Sequence, residues 1–220
     1  MTLLSKRNVR IFSFLAFCVF GIYTQSCPEK NGRFANPSQC DSYIECTDGV
    51  PEEKLCPEGL LFNDKASWFS YPCTYPVDVD CGSRAKLQPP NPTEECPHQY
   101  GYYRIGDRAN CGQWMNCVDG KSFVFDCPEG LAWNSETYRC DWPDEVEDCD
   151  AEAFLGFKCP PNPNAQFIPQ EYRDYPHPTD CHKYFICVGE KPRLFNCGFE
   201  GAYDETIHAC NGIENVTSCH

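Results

Sequence analysis

The sequence predicts a small, disulfide-rich all-β protein of three tandem modules, each built on a β-hairpin followed by a second, shorter hairpin. Three observations predict it. The chain carries 19 cysteines in 220 residues, eighteen of them recur in three sets with shared spacings, and a turn dipeptide stands at the same place in each set. So many cysteines exclude a reducing compartment, where thiols stay open. They point to a chain cross-linked outside the cytosol.

The N-terminus fits that compartment. Lys6, Arg7 and Arg10 form a basic stretch, residues 11–22 form a short apolar one, and Thr24 and Ser26 are small residues suited to a cleavage site. Residues 1–26 therefore read as a secretory signal peptide. The apolar run falls well short of the roughly 20 residues that a membrane-spanning helix needs. Cys18 lies inside this segment, which leaves an even eighteen for pairing. Loss of the three basic residues leaves 15 Lys and Arg against 32 Asp and Glu, a balance of −17. That balance argues against nucleic acid and against anionic membranes, both of which attract basic surfaces.

The sets are Cys27, Cys40, Cys46, Cys56, Cys73, Cys81; then Cys96, Cys111, Cys117, Cys127, Cys140, Cys149; then Cys159, Cys181, Cys187, Cys197, Cys210, Cys219. In each, five residues separate the second and third cysteines and nine separate the third and fourth. Repetition at a period of roughly 65 residues means an array of like modules. Their expected bounds are 27–81, 96–149 and 159–219, joined by linkers 82–95 and 150–158. The first linker carries Pro89, Pro90 and Pro92 and reads as an extended, semi-stiff spacer. The second carries Phe154, Leu155 and Phe157, which either pack modules two and three together or form an exposed strand. Six cysteines allow 15 pairings, and spacing does not choose among them.

Asp48-Gly49 and Asp119-Gly120 are favoured two-residue hairpin turns, and Gly189-Glu190 takes the same place in module three. A two-residue loop fixes the register. It sets Trp114 opposite Phe125, Asn116 opposite Phe123, Tyr184 opposite Phe195 and Tyr43 opposite Lys54. The segments Cys56-Pro-Glu-Gly-Leu-Leu-Phe-Asn63, Cys127-Pro-Glu-Gly-Leu-Ala-Trp-Asn134 and Cys197-Gly-Phe-Glu-Gly-Ala-Tyr-Asp204 begin the second hairpin, which returns at the fifth cysteine. Flat rings beside Asn or Asp suit a sugar: the apolar C–H face lies on the ring and the polar groups bind hydroxyls. The same rings serve a small core equally well, and the residues alone leave both readings open.

These spacings, with an aromatic inside the five-residue gap and Cys-Pro-x-Gly-Leu-x-aromatic-Asn after the fourth cysteine, resemble the peritrophin-A type chitin-binding domain of arthropods. All three modules carry the pattern. The three-module layout, with Cys-Asp-Trp-Pro at 140–143, resembles the obstructor/Gasp group of insect cuticle proteins. The resemblance implies a chitin-binding type-2 fold and bridges from first to third, second to sixth and fourth to fifth cysteine. These are Cys27–Cys46, Cys40–Cys81 and Cys56–Cys73; Cys96–Cys117, Cys111–Cys149 and Cys127–Cys140; Cys159–Cys187, Cys181–Cys219 and Cys197–Cys210. It implies sugar-facing rings at Tyr43, Phe62 and Tyr75, at Trp114, Trp133 and Trp142, and at Tyr184 and Tyr203. Phe125 and Phe195 join them as cross-strand partners, and Asn63, Asn134 and Asp204 are the polar candidates. The implied partner is chitin, poly-N-acetylglucosamine, in an extracellular matrix, with other matrix proteins or chitin deacetylases as further partners. Module one departs by a 16-residue gap between its fourth and fifth cysteines that includes Trp68. Module three departs by Gly212 where module two has Trp142, and by Phe199 at the position of Glu58 and Glu129.

Other chemistries find little support. A glycosidase needs two carboxylates at a set separation in a cleft, and the acidic run Asp144, Glu145, Glu147, Asp148 and Asp150 reads as a solvated edge. There is no Cys-x2-Cys pair and the five histidines are scattered, so no metal or cofactor is expected. Asn215-Val216-Thr217 is a glycosylation sequon. The alternative class is a disulfide-rich secreted inhibitor or defence protein. An antimicrobial usually carries positive charge, and an inhibitor displays one loop rather than three copies of a ring platform.

Overall fold

The computed structural model describes residues 26–163, 166–168 and 171–219. Apart from Ser26, the expected signal peptide lies outside the described residues. Module one contains β1 (Gly32–Ala35), β2 (Ser42–Thr47), β3 (Val50–Leu55), β4 (Leu61–Phe62) and β5 (Cys73–Thr74). Module two contains β6 (Gly101–Ile105), β7 (Gln113–Val118), β8 (Lys121–Asp126), β9 (Ala132–Asn134) and β10 (Arg139–Asp141). A short helix α1 (Ala151–Leu155) leads to module three, with β11 (Tyr172–Pro176), β12 (Lys183–Val188), β13 (Lys191–Asn196), β14 (Gly201–Asp204) and β15 (Ala209–Gly212).

Each module is a three-stranded antiparallel sheet plus a two-stranded hairpin. The central hairpins adopt the register set by their turns. Trp114 pairs with Phe125, Asn116 with Phe123, Tyr184 with Phe195 and Tyr43 with Lys54. Asp48 and Gly49 have φ of 52° and 84°, and Asp119 and Gly120 have 52° and 72°. Positive φ at both central residues is the type I′ turn, whose twist matches that of the strands. The third strand of each sheet was not expected from sequence. β1, β6 and β11 lie in gaps of unequal length, and each pairs with the middle strand.

All nine sulfur pairs join the first to third, second to sixth and fourth to fifth cysteine of one module. The first-to-third bridge explains the extra strand, because it ties the segment leading into β1, β6 or β11 to the middle strand. The cores are small. Module one buries Tyr43, Cys56, Leu60, Phe62 and Cys73 together, and module two buries Cys111, Ala132, Val146 and Cys149 under Phe154. Cores of this size leave much of the stability to the cross-links. Closing the loop between Cys127 and Cys140 contributes on the order of 3 kcal/mol.

The linkers differ from expectation. Residues 82–95 are not a free spacer, because residues 85–88 pair with module one and residues 91–95 bond to module two. Gln39 bridges Ala85, the Cys40 amide donates to Lys86 O (2.9 Å), and the Gln88 amide donates to Asp41 Oδ2 (2.7 Å). In the second linker, Asp150 Oδ1 accepts from the Ala153 amide (3.1 Å) and so caps α1. Phe154 packs into module two while Phe157 stacks on Phe185 of module three at 4.2 Å. Those apolar residues join the modules, and they do so from a helix and its exit rather than from a strand.

Peptide mapping without reduction is expected to recover nine intramodule bridges. A bridge between modules, or Cys140 joined elsewhere than Cys127, would overturn this arrangement.

Candidate carbohydrate-binding face

In every module a ring from the middle strand stacks on a ring from the short hairpin. Tyr43 lies on Phe62 at 4.8 Å, Trp114 on Trp133 at 4.6 Å and Tyr184 on Tyr203 at 4.6 Å, with interplanar angles of 13°, 15° and 14°. A third ring completes the pile in two modules: Phe125 on Trp114 (4.6 Å) and Phe195 on Tyr184 (5.5 Å). Module one has Lys54 at that position.

The depth of each ring decides what it can touch. Phe62, Trp133 and Tyr203 are no more than 3% exposed. A ring so covered offers no face to a ligand, so these three are core residues under the stack rather than sugar-facing ones. Tyr43 is also buried. Trp114 and Tyr184 are half-buried, and Phe125 is 44% exposed. The outward surface of module two is therefore Phe125 with the edge of Trp114, flanked on the same face by exposed Phe123.

Asn63, Asn134 and Asp204 are committed to the turn of the short hairpin. Asn63 Oδ1 accepts from the Lys65 amide (3.0 Å). Asn134 Oδ1 accepts from the Glu136 amide (2.9 Å), and its Nδ2 donates to Asp141 Oδ2 (2.9 Å). Asp204 accepts from the Thr206 amide and hydroxyl and from Asn211 Nδ2. These bonds, the Thr206 hydroxyl first, hold the Asp204 carboxyl below its ordinary value. Turn formation uses the polar atoms that a sugar would need.

Tyr75 and Trp142, two residues beyond the fifth cysteine, face the next module. Tyr75 stacks on Tyr102 at 4.4 Å and its hydroxyl donates to Asn116 Oδ1 (3.2 Å). Trp142 lies 5.0 Å from Phe195, with the Arg193 guanidinium 5.2 Å from its ring centre. The Glu-Gly pair after the fourth cysteine faces the same way. Glu58 accepts from the Gln99 amide (2.7 Å) and meets His98 Nδ1. Burial works against the Glu58 charge, and the bonds from His98 and Gln99 outweigh it, so the carboxyl stays below its ordinary value. Burial, followed by the Glu58 carboxylate and Tyr138, pushes the Tyr103 phenol up to about 12. Glu129 accepts from Lys183 Nζ (2.5 Å) and Asn196 Nδ2 (3.4 Å). Gly59 has φ of 95°, and a Cβ there would stand 2.1 Å from Tyr100 O. Gly130 approaches Leu194 in the same manner. In module three the corresponding residues are Phe199, Glu200 and Gly212, and Phe199 is 95% exposed.

The acidic run is not simply a solvated edge. Asp144 takes both Nε and Nη2 of Arg193 at 2.9 Å, and Glu145 accepts from Nη2 at 2.7 Å. Asp144 is nearly buried by this contact. Sequence reasoning missed Arg193 and Tyr102 as junction residues.

The chain matches the chitin binding peritrophin-A domain family over residues 27–81, 96–149 and 169–219. It belongs to that family. It is 46% identical to protein obstructor-E of Drosophila melanogaster, across 97% of this chain and 90% of that protein. It is 33% identical to peritrophin-1 of Anopheles gambiae, across 53% of this chain and 77% of the relative. Similarity to the probable chitinase 10 of Drosophila melanogaster is 23%, over 83% of this chain and only 10% of that protein. The three stapled sheets are thus three peritrophin-A chitin-binding domains in one small all-β chain, and their partner is chitin.

Arg193→Ala is expected to loosen modules two and three while leaving the disulfide map intact. A bidentate, charge-assisted pair contributes about 1.5–3 kcal/mol. Small-angle scattering should show a larger maximum dimension, and proteolysis should quicken within 150–158. An unchanged scattering curve and cleavage rate would show that the contact does not hold the junction.

Proposed function

We propose that the chain is a secreted, non-catalytic structural protein that organises chitin in an extracellular matrix through rings presented at fixed spacing. The observation that carries this reading is the repeated ring pile, with Phe125 and the edge of Trp114 outward in module two. An N-acetylglucosamine unit has an apolar face that lies on such a ring, and each stacked ring contributes about 1–3 kcal/mol. A shallow site gives weak binding on its own, and several sites on one repeating polymer raise retention without new contacts.

Tyr75 and Trp142 act in this reading as positioning residues that hold neighbouring modules together. The absence of a catalytic role is supported by the use of Asp144 and Glu145 as partners of Arg193 and by the small share of the chitinase that the chain matches. Secretion into a cuticle-type matrix is supported by the cysteine content and by the obstructor relative. Asn215 is exposed on a turn at Ile213–Asn215, which suits glycosylation of its sequon. An inhibitor or defence role would leave the protein in solution when chitin is offered.

The full mature chain is expected to bind insoluble chitin at low and at high salt, because its −17 balance takes no part in holding a neutral polymer. Phe125→Ala should weaken retention by about 1–3 kcal/mol with the fold intact. Elution by salt, or no retention at all, would refute the reading.

A further inference from the structure

Module one differs from its siblings on the face that carries the ring pile. β3 sets Lys54 opposite Tyr43 and Glu52 opposite Glu45, where β8 sets Phe125 and Phe123. Side chains alternate along a strand, so Arg33, Glu45, Glu52 and Lys54 share the face of Tyr43. They form an ion network. Arg33 Nε lies 3.0 Å from Glu45, Lys54 meets the other Glu45 oxygen, and Lys54 lies 3.3 Å from Glu52. The bonds from Lys54 and then Arg33 hold the Glu45 carboxyl below its ordinary value. The pile thus lacks its outer ring here, and charge takes its place.

The extra residues between Cys56 and Cys73 lie over this network. Their loop carries Trp68, Phe69 and Tyr71, which are 48%, 96% and 65% exposed. It is nevertheless held firmly. The Asn63 amide donates to Pro72 O (2.9 Å) and closes its base, and the Ser70 amide donates to Ser67 O (3.0 Å) across its tip. Arg33 Nη1 donates to Ser70 O at 2.9 Å and to Trp68 O at 3.4 Å, and the guanidinium lies 5.0 Å from the Trp68 ring centre. Glu45 fixes that arginine from the sheet side. Partial burial, followed by Tyr43 and Tyr100, pushes the Tyr71 phenol above its ordinary value.

Three exposed rings on a pinned loop are costly in water, since burying each would gain about 1.5–3 kcal/mol. Exposed apolar rings held in place on one short loop mark an interaction surface. Its surroundings specify the occupant. Arg33 ties the loop to the sheet face that carries the ring pile in the other modules, and Ser67, Ser70 and the Tyr71 hydroxyl accompany the rings along the loop. Exposed rings interleaved with hydroxyl groups suit the apolar face and hydroxyl rim of a pyranose better than they suit a dry protein patch.

We propose that the 63–72 loop is the sugar platform of module one, with Trp68 and Phe69 taking N-acetylglucosamine units of the polymer in place of the outer ring that β3 lacks. This rests on the chitin reading above and extends it to residues outside the repeated pattern. Retention on insoluble chitin and titration with a soluble N-acetylglucosamine oligomer, both on the full nine-disulfide chain, test it. Trp68→Ala combined with Phe69→Ala should bind at least about five-fold more weakly. Trp68→Phe, which keeps a ring, should stay within about two-fold. Phe69→Ala alone should also weaken binding, and its near-complete exposure leaves the fold untouched. If the wild-type chain binds chitin and both alanine variants bind as tightly, the platform is refuted while the general reading stands. If the wild-type chain does not bind, both fall together.

Discussion

Each module depends on the bridge between its fourth and fifth cysteines. β4 and β5 have two residues each, and the matching strands of the other modules have three or four. A hairpin this short does not hold in water unaided. Cys56–Cys73, Cys127–Cys140 and Cys197–Cys210 tie its return strand to the end of β3, β8 or β13 in the larger sheet. The clamp sets the depth of Phe62, Trp133 and Tyr203, and those rings support Tyr43, Trp114 and Tyr184 above them. Every outward ring therefore rests on a covalent base, which is how a module with so small a core keeps an aromatic surface in one place.

The junctions repeat with equal regularity. Glu58 and Glu129, Gly59 and Gly130, and Tyr75 and Trp142 occupy matching positions, and all face the following module. Each contact alone is modest. Together they join a carboxylate, a close backbone approach and a stacked ring at two places in the chain. In module three the three positions change together to Phe199, Glu200 and Gly212.

Much of the fold was legible in the sequence. Asp48-Gly49 and Asp119-Gly120 admit essentially one hairpin register, so the pairs Trp114–Phe125 and Tyr43–Lys54 followed from counting. The site was less legible, because alternation tells which face a ring occupies and not what covers it. Trp133 and Phe125 are both aromatic and both near Trp114, yet one is core and the other is surface. Trp142 carries the composition of a sugar contact, and only the position of Arg193 and Phe195 reveals it as a junction residue. The acidic run deceived for the same reason. Asp144 and Glu147 look alike in sequence, and a basic side chain from another module separates them.

Docked modules change how multivalent binding works. A free 14-residue linker would let each module search for its own stretch of polymer, at an effective concentration of about millimolar. Here the linker 82–95 is bonded to module one at residues 85–88 and to module two at residues 91–95, and both junctions are packed, so the modules do not search independently. The second contact then costs little further ordering, but it forms only where the polymer presents a sugar at the right distance and angle. A soft single chain meets that condition rarely, whereas an ordered array of chains meets it repeatedly. On the reading proposed above, this geometry favours ordered chitin over isolated chains, and it does so through Tyr75, Trp142, Glu58 and Arg193, side chains that need not touch the polymer at all.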